Sequence, residues 1–455
     1  MTVLVFHRLE IEGLDEELAV ERWTGSARLH APFELHVLTQ KVVTDPIPLG
    51  AEAILHLATD EGYALGGVVE RAEVTPEGTL VVMVPPVARL AHCRNHRVVL
   101  EIDGLTLAKD VIAEHSLSVE SRCGATPAPR PQRVQAFETD LGYAARLLAE
   151  EGMTWFCDQD GQGATSIVFV DGPSGHAPIV GDAVVPYRPE SGLLGAEAIE
   201  ELRLSEQWTV DRFQVRDYCY ETPSVDLTTE VGEGPHGAYR FVGPGRYKDG
   251  GAGQALAQRL LEVEQREATL LEATSSCHRL WPGRTFELGD APRDDLGGEW
   301  LVIEATYEGQ TSNIEAPRVA VRFKAIPATA PGASTVEPAP TMGGVQTATI
   351  TGPAGEGSTP TTRGGSAPSF ATTCRSPPTT RLRPGVVCSI HRRTGASCCR
   401  APAGRRSSAS RDSGDEPYVL GRLDNGSAPT AESLPGKQIC SNFGTPTTPA
   451  AARRT

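Results

Sequence analysis

Short runs in which apolar and polar residues alternate fill much of the first 330 residues, the pattern of strands with one buried face. Val3–Ile11, Phe33–Leu38, Ala53–Leu57, Leu65–Val69 and Leu80–Val84 are such runs, and Asp45-Pro46, Asp60-Glu61-Gly62 and Pro76-Glu77-Gly78 supply turns between them. Their spacing predicts a small barrel or sandwich over residues 1–125. The period then changes. Across 139–151, Leu141, Ala144, Ala145, Leu147 and Leu148 recur every 3.6 residues, Thr139 or Asp140 can cap the start, and Gly152 can take the left-handed position that ends a helix. Thr154–Cys157 and Ile167–Val170 are β-rich and joined by the turn-forming DQDGQG, which predicts a hairpin. This helix and hairpin, within Gln132–Val170, are the stretch around which the chain is organised. A second helix is predicted over 254–268, with Leu256, Leu260 and Val263 on one stripe and charges elsewhere. Arg203–Trp208, Arg212–Tyr220, Glu299–Tyr307 and Val319–Ile326 read as further strands, and RLWPGRTFELGD (279–290) places a Pro-Gly turn before another.

Composition agrees with a mainly β chain. The 455 residues suffice for two to four domains, and 47 glycines, 35 prolines and 5% aromatics suit short strands with tight turns. A net charge of -16 excludes the whole chain as a nucleic-acid binder on electrostatic grounds. No basic, apolar leader opens the chain, and no window approaches ~18 consecutive apolar residues, so neither a signal peptide nor a membrane span is expected. The ten cysteines are irregularly spaced without a C-x-x-C pair, which predicts reduced thiols.

Site chemistry is sparse. The nucleotide-binding loop G-x-x-x-x-G-K-[ST] does not occur, and GPGRYKDGG (243–251) lacks both its lysine placement and a preceding strand. G-x-S-x-G and H-E-x-x-H are missing too. Asp158 and Asp160 lack the further positions of a calcium loop and read as hairpin-turn residues, and Ser174 reads as a turn serine. Glu150 and Glu151 point about 100° apart on a helix and cannot flank one glycosidic bond. His92, Cys93 and His96 lie close in sequence, but a zinc centre needs four convergent ligands, so a polar connection is the preferred reading. The expectation is therefore no catalytic, cofactor-binding or metal residues.

The order of residues carries more. Phe137-Glu138-Thr139-Asp140, Arg146-Leu147-Leu148-Ala149-Glu150-Glu151-Gly152 and Asp171-Gly172-Pro173-Ser174 resemble the hub-like domain of the VgrG family, the tip (spike) proteins of type VI secretion. The family more often has Tyr at the position of Phe137. The L-x-P-G-x-x-F-x-L of 280–288 and EWLVIEATY (299–307) extend the resemblance, which covers residues 3–326; Asp290 stands where the family usually has His-Pro. QTATITGPAGE (346–356), GDEPYVLGRLDNG (414–426) and Leu434-Pro435-Gly436-Lys437 resemble the edges of the family's small OB-type barrel.

The resemblance implies two hub-like β-barrel domains with accessory helices, then a remnant OB-type barrel and no β-helix needle. Their bounds are 1–125 and 126–326, a Pro/Gly-rich linker 327–344, the remnant 345–437 and a tail 438–455. It also implies a homotrimer seated on the Hcp tube, a PAAR-type tip protein, effectors, mechanical contact with a target membrane and no nucleic acid. Such a protein is cytoplasmic before firing and exported by the type VI apparatus without a signal peptide. The expectation is a non-enzymatic, truncated spike. Alternatives are the hub of a phage tail or extracellular contractile particle and, in other classes, a cell-wall hydrolase or a nucleic-acid-binding module.

Residues 358–412 break the pattern. They hold ten arginines, no lysine, four cysteines and one acidic residue, Asp412, whereas the other 400 residues carry 32 basic and 57 acidic groups. Three readings stand: a disordered basic arm for nucleic acid or lipid headgroups, a zinc site from Cys388, His391, Cys398 and Cys399, and a frame-shifted insert. The last is preferred, because a GC-rich gene read out of frame yields Arg, Ala, Pro, Gly, Ser and Cys without alternation. It predicts that the small barrel loses its middle strands.

Overall fold

The computed structural model describes residues 7–330 apart from 60–61, 125, 190–196, 220–221, 246, 294–295 and 312–317, together with five strand segments beyond residue 345. The chain divides into two units: Met1–Leu90, Ala108–Thr126 and Leu147–Val336 form the first, and Ala91–Leu107, Pro127–Arg146 and Glu337–Thr455 the second.

The first unit opens with β1 (Arg8–Ile11), β2 (Leu18–Arg28), β3 (Glu34–Thr39), β4 (Glu52–His56), β5 (Ala64–Val74) and β6 (Thr79–Val84). They pair antiparallel in the order β1-β4-β5-β6-β3-β2, and β1 returns to β2 through Arg8↔Ala19 and Leu9↔Leu18. The six strands thus close on themselves, the arrangement that leaves fewest backbone groups at an open edge. Alternation in sequence becomes alternation of burial: Leu9, Ile11, Leu35, Val37, Leu55, Val81 and Met83 are all buried. A register shift between Val20 and Arg22 explains why Val20 and Trp23, three residues apart, are both buried.

There follow β7 (Arg94–Ile102), α1 (Gly104–Ala113), β8 (Val119–Arg122), β9 (Arg130–Thr139), α2 (Asp140–Glu150), β10 (Thr154–Gln159) and β11 (Thr165–Val170). The helix expected at 139–151 is α2, and Thr139 is its cap, accepting at Oγ1 from the Gly142 N–H at 3.1 Å. At its end Gly152 has φ 73°, and the N–H groups of Gly152 and Met153 reach the carbonyls of Ala149 and Leu148 at 3.0 and 2.9 Å. The expected hairpin is β10–β11, two residues longer on each strand toward the turn.

Next come β12 (Ala177–Pro178), β13 (Val184–Pro186), β14 (Ile199–Glu206), β15 (Arg212–Asp217), β16 (Leu227–Val231), β17 (Tyr239–Val242), α3 (Gly250–Gln265), β18 (Thr269–Ser275), β19 (Arg284–Gly289), β20 (Gly298–Gln310) and β21 (Arg318–Pro327). Strands β14-β18-β21-β20-β19-β13 are successive neighbours, and a bridge from Tyr187 to Ile199 brings the end of β13 back to β14. A second ring therefore closes. The two rings are fused: β20 pairs with β19 from Gly298 to Leu301 and with β2 from Glu304 to Gln310.

Strands β16-β15-β17 form a small separate sheet packed against α3, around buried Phe213, Val215, Leu227, Tyr247, Ala257 and Leu261. This corrects the second helix. It begins at Gly250, capped by Asp249, and its buried stripe is Gly253, Ala257 and Leu261, with Leu256 and Leu260 half-buried. The glycines of GGAG have poor helix propensity and read as loop. Tertiary packing overrides it, since a Cβ on Gly253 would lie 2.5 Å from the Tyr247 ring. The strand expected at 203–208 is also shifted: β14 ends at Glu206, and Trp208 is 82% exposed.

In the second unit β7 and β9 pair antiparallel from Arg94↔Thr139 to Ile102↔Arg130 over a core of Val98, Val134 and Ala136. Beyond residue 345, β22 (Gln346–Thr351), β23 (Phe370–Thr373), β24 (Cys388–Ile390), β25 (Arg406–Ser410) and β26 (Tyr418–Leu423) form an antiparallel sheet in the order β24-β23-β22-β25-β26. Three of these strands fall inside 358–412, where the sequence pattern predicts none. Ladders are built from backbone groups, which every non-proline residue supplies whether or not side chains alternate. The linker residues 331–344, His391, Cys398, Cys399, Leu434–Lys437 and the tail 438–455 lie outside the described residues. Among the described residues no helix is long and apolar enough to cross a membrane.

Candidate functional site

The hairpin β10–β11 is the place where both rings of the first unit are held. On one side Gln159, fully buried, donates from Nε2 to the Gly66 carbonyl and accepts at Oε1 from the Gly66 N–H, both at 2.9 Å, which ties it to β5 of the first ring. The approach is close enough that a Cβ on Gly66 would overlap the Gly163 carbonyl oxygen at 1.8 Å. On the other side the RLWPG turn clasps the hairpin to the second ring. Trp281 donates from Nε1 to the Cys157 carbonyl at 2.8 Å. Arg284 donates from Nε and Nη2 to the two carboxylate oxygens of Asp158 at 2.7 and 3.1 Å. Gly283 has φ 94°, and its N–H reaches the Val302 carbonyl at 2.9 Å.

Stacked aromatics continue the clasp into the seam strands. Trp281 lies on Tyr307 of β20 with ring centres 5.3 Å apart, and Tyr307 lies on Trp23 of β2 at 6.2 Å. The Tyr307 hydroxyl donates to the Leu280 carbonyl at 2.6 Å; burial pushes its pKa well above the ordinary range, so it stays a donor.

A second buried polar group sits beside the first. Glu197 receives Arg279 Nε at 2.7 Å and lies 3.0 Å from His278 Nδ1, while Arg279 also donates to the carbonyls of Val180 and Asp182. Burial would raise the Glu197 pKa, but the hydrogen bonds and charges of His278 and Arg279 outweigh it and hold the carboxyl down at about 2. His7 is lowered to about 4, by burial and then by His278. Burial pushes the Cys277 thiol up to about 12 and raises Cys157 further, so neither is a thiolate at neutral pH. Cys93, Cys123, Cys157, Cys219 and Cys277 carry no disulfide.

The structure also places the residues weighed in sequence. Asp160 accepts at Oδ1 from the N–H groups of Gln162 and Ala164 at 2.8 and 2.9 Å, as a hairpin-turn aspartate does, and Asp158 is bound by Arg284. Ser174 lies exposed in the short turn Pro173–Gly175, and Glu151 lies 3.8 Å from Arg259. Asp249 of GPGRYKDGG is a helix cap. In the second unit His96 stacks on Phe137 at 4.6 Å, and the Cys93 carbonyl accepts from the Asp140 N–H at 2.8 Å. Asp140, read as a possible cap, is instead a buried hub that accepts from Asn95, Arg97 and Gln135 at 2.8–3.0 Å. Sequence reasoning missed Arg279, Arg284 and Glu197; the two arginines in an otherwise apolar turn are the signal that points to them.

Gln159, Trp281, Asp158, Arg284 and Arg279 each bind another part of the chain at the junction, and two closed rings are joined by the β2–β20 ladder. That combination defines a rigid scaffold. Residues 27–313 match the phage tail baseplate hub (GPD) family, and the chain belongs to that family. It is 28% identical over 387 residues to the type VI secretion system spike protein VgrG4b of Pseudomonas aeruginosa, covering 76% of this chain and 47% of that one. It is 28% identical over 293 residues to the spike protein VgrG3 of Vibrio cholerae, covering 60% and 28%. The solved E. coli c3393 protein, described as a type VI secretion component similar to the T4 tail proteins gp27 and gp5, matches with a TM-score of 0.67 at 19% identity, covering 92% of this chain and 100% of that one. The chain thus spans half or less of the curated relatives named here. The mainly β hub fold and the VgrG resemblance read from the sequence are both borne out, and these relatives carry the names of spike and tail proteins.

Proposed function

We propose that the chain is the base of a type VI secretion spike, a homotrimer that joins the Hcp tube to a puncturing needle tipped by a PAAR-type protein and so carries effectors into target cells. Its work is mechanical, with no catalytic, cofactor or metal residues. The observation that carries this reading is the ladder between β20 of the second ring and β2 of the first, which welds two closed rings into one stiff body. The hub domains are 1–125 and 126–326, followed by the linker 327–344, the OB-type remnant 345–437 and the tail 438–455, with 358–412 a frame-shifted insert. The protein waits in the cytoplasm and leaves by the type VI apparatus. Light scattering on the purified full chain, with capture of Hcp, tests the reading: a threefold mass and a retained Hcp are expected. A single-copy protein at high concentration, or one that turns over a cell-wall substrate, would overturn it. Reading codons 358–412 in the alternative frame should restore alternation if the insert is a slip. A second reading, a phage tail hub, is favoured by the family's own description. Release into the medium that stops when the type VI sheath is deleted separates the two.

A further inference from the structure

The first ring closes at its own beginning. Strand β1 meets β2 through Arg8↔Ala19 and Leu9↔Leu18, the shortest ladder of the ring. His7, the residue before β1, continues the closure on both sides. Its carbonyl accepts from the Val20 N–H of β2 at 3.0 Å, and its Nδ1 accepts from the Ala58 N–H, just past β4, at 2.9 Å. The ladder of β1 with β4 begins at Arg8↔His56, so Ala58 lies beyond the last pair and takes a side chain as its acceptor in place of backbone. His7 is fully buried, and its ring stands edge-on to Trp23 with centres 6.2 Å apart.

The bond to Ala58 fixes the protonation state of the imidazole. A backbone N–H can only donate, so Nδ1 must offer a lone pair, and the neutral ring carries its proton at Nε2. Imidazolium has a proton on both nitrogens. At His7 it would set donor against donor at Ala58 and leave a charge in the interior. Among the described residues nothing around the imidazole compensates. Strand β2 offers the indole of Trp23, the segment after β4 offers Ala58, and the second ring offers His278, whose charge would oppose a second one. Beyond His278 lie Tyr63, whose ring meets it at 4.9 Å, and Glu197, whose carboxylate is taken by His278 and Arg279. We propose that His7 is an acid-sensitive latch on the first ring: neutral, it holds β1 between its two neighbours, and protonated, it lets that closure open while the other strands stay paired. Leu9 and Ile11 remain better buried than exposed, so acid raises how often the closure opens rather than detaching β1 for good. The latch belongs to the ring itself and holds whether the chain serves as a spike or as a tail hub.

Hydrogen exchange of the full chain, followed by mass spectrometry and corrected for the chemical pH dependence of exchange, reads the latch. His7 titrates near its ordinary 6.5 when the closure is open and near 4 when it is shut, so closure is strongest above 6.5 and weakens as the pH falls toward 4. Opening at pH 5 should therefore exceed opening at pH 7.5 by roughly 25-fold. The rise should appear at the amides of Val20 and Ala58 and in β1, and not in β3 and β6, which pair with one another across the same ring. His7→Asn keeps an acceptor for Ala58 without titrating, and should abolish the rise. His7→Gln replaces it if far-UV dichroism shows the first variant unfolded, and with neither folded the wild-type pattern alone decides. No rise at pH 5, a rise shared equally by β3 and β6, or one that persists in the amide variant overturns the latch; the last would place the titrating group elsewhere, at His278 first.

Discussion

Replacing Gly283 by alanine tests the clasp directly. Its φ of 94° lies where L-residues are strained, at a cost of about 1–2 kcal/mol. The added methyl would also lie 2.3, 2.4 and 2.5 Å from three carbons of the Phe156 ring. That ring is fully buried, in a cluster with Leu29, Val168 and Leu301, so it has no room to yield. Forcing such an overlap in a packed core costs roughly 1–3 kcal/mol more. Gly50 supplies the control: its φ is 84° and an added Cβ meets nothing within 4 Å, so Gly50→Ala carries the backbone strain alone. Urea unfolding followed by tryptophan emission should place the Gly283→Ala midpoint well below that of Gly50→Ala, by the equivalent of roughly 1–3 kcal/mol. Equal midpoints would show that the Pro-Gly turn is not packed on the hairpin as described, and the clasp would lose its main support.

Acid should act in two windows. His7, neutral when folded and lowered to about 4, gives stability that is complete above its ordinary value of 6.5 and is lost as the pH falls from there through 4; His7→Asn, whose amide oxygen can still accept from the Ala58 N–H, should flatten that part of a stability–pH curve. Glu197, held at about 2, gives stability that is present above 4.5 and lost as the pH falls through 2; Glu197→Gln should be less stable at neutral pH and insensitive to that lower window. Asp140→Ala removes the acceptor of Arg97, Asn95 and Gln135 and should cost about 3–5 kcal/mol, read by thermal melting. Thr139→Ala should cost only about 1 kcal/mol, since it removes one cap bond, and a larger loss would mean that Thr139 does more than cap α2.

Local features were legible and distant ones were not. Thr139, Gly152 and the DQDGQG turn act through neighbours a few residues away, so their letters sufficed. The seam pairs Arg22–Arg28 with Glu304–Gln310 across nearly the whole first unit, and no local pattern announces which strand lies beside which. The clasp fails in the same way: Glu197 meets Arg279, and Asp158 meets Arg284, only after folding. Asp158 was weighed as a calcium ligand because its partner is invisible in its own neighbourhood. The start of α3 was missed for a different reason, because Gly253 is chosen for the space Tyr247 leaves and not for helix propensity. The VgrG resemblance recovered the hub as a whole, because an ordered string of residues records long-range constraints that periodicity cannot.

Pairing of β20 with strands of both rings limits how this chain can change. Its residues can be exchanged one at a time, but one amino acid inserted near Ile303 would turn over every side chain on one flank of the insertion. Apolar groups of that flank would then face water, while the other flank kept its parity. Length variation should therefore collect in the excursions between strands, such as the segment carrying β15–β17, and spare those thirteen positions altogether.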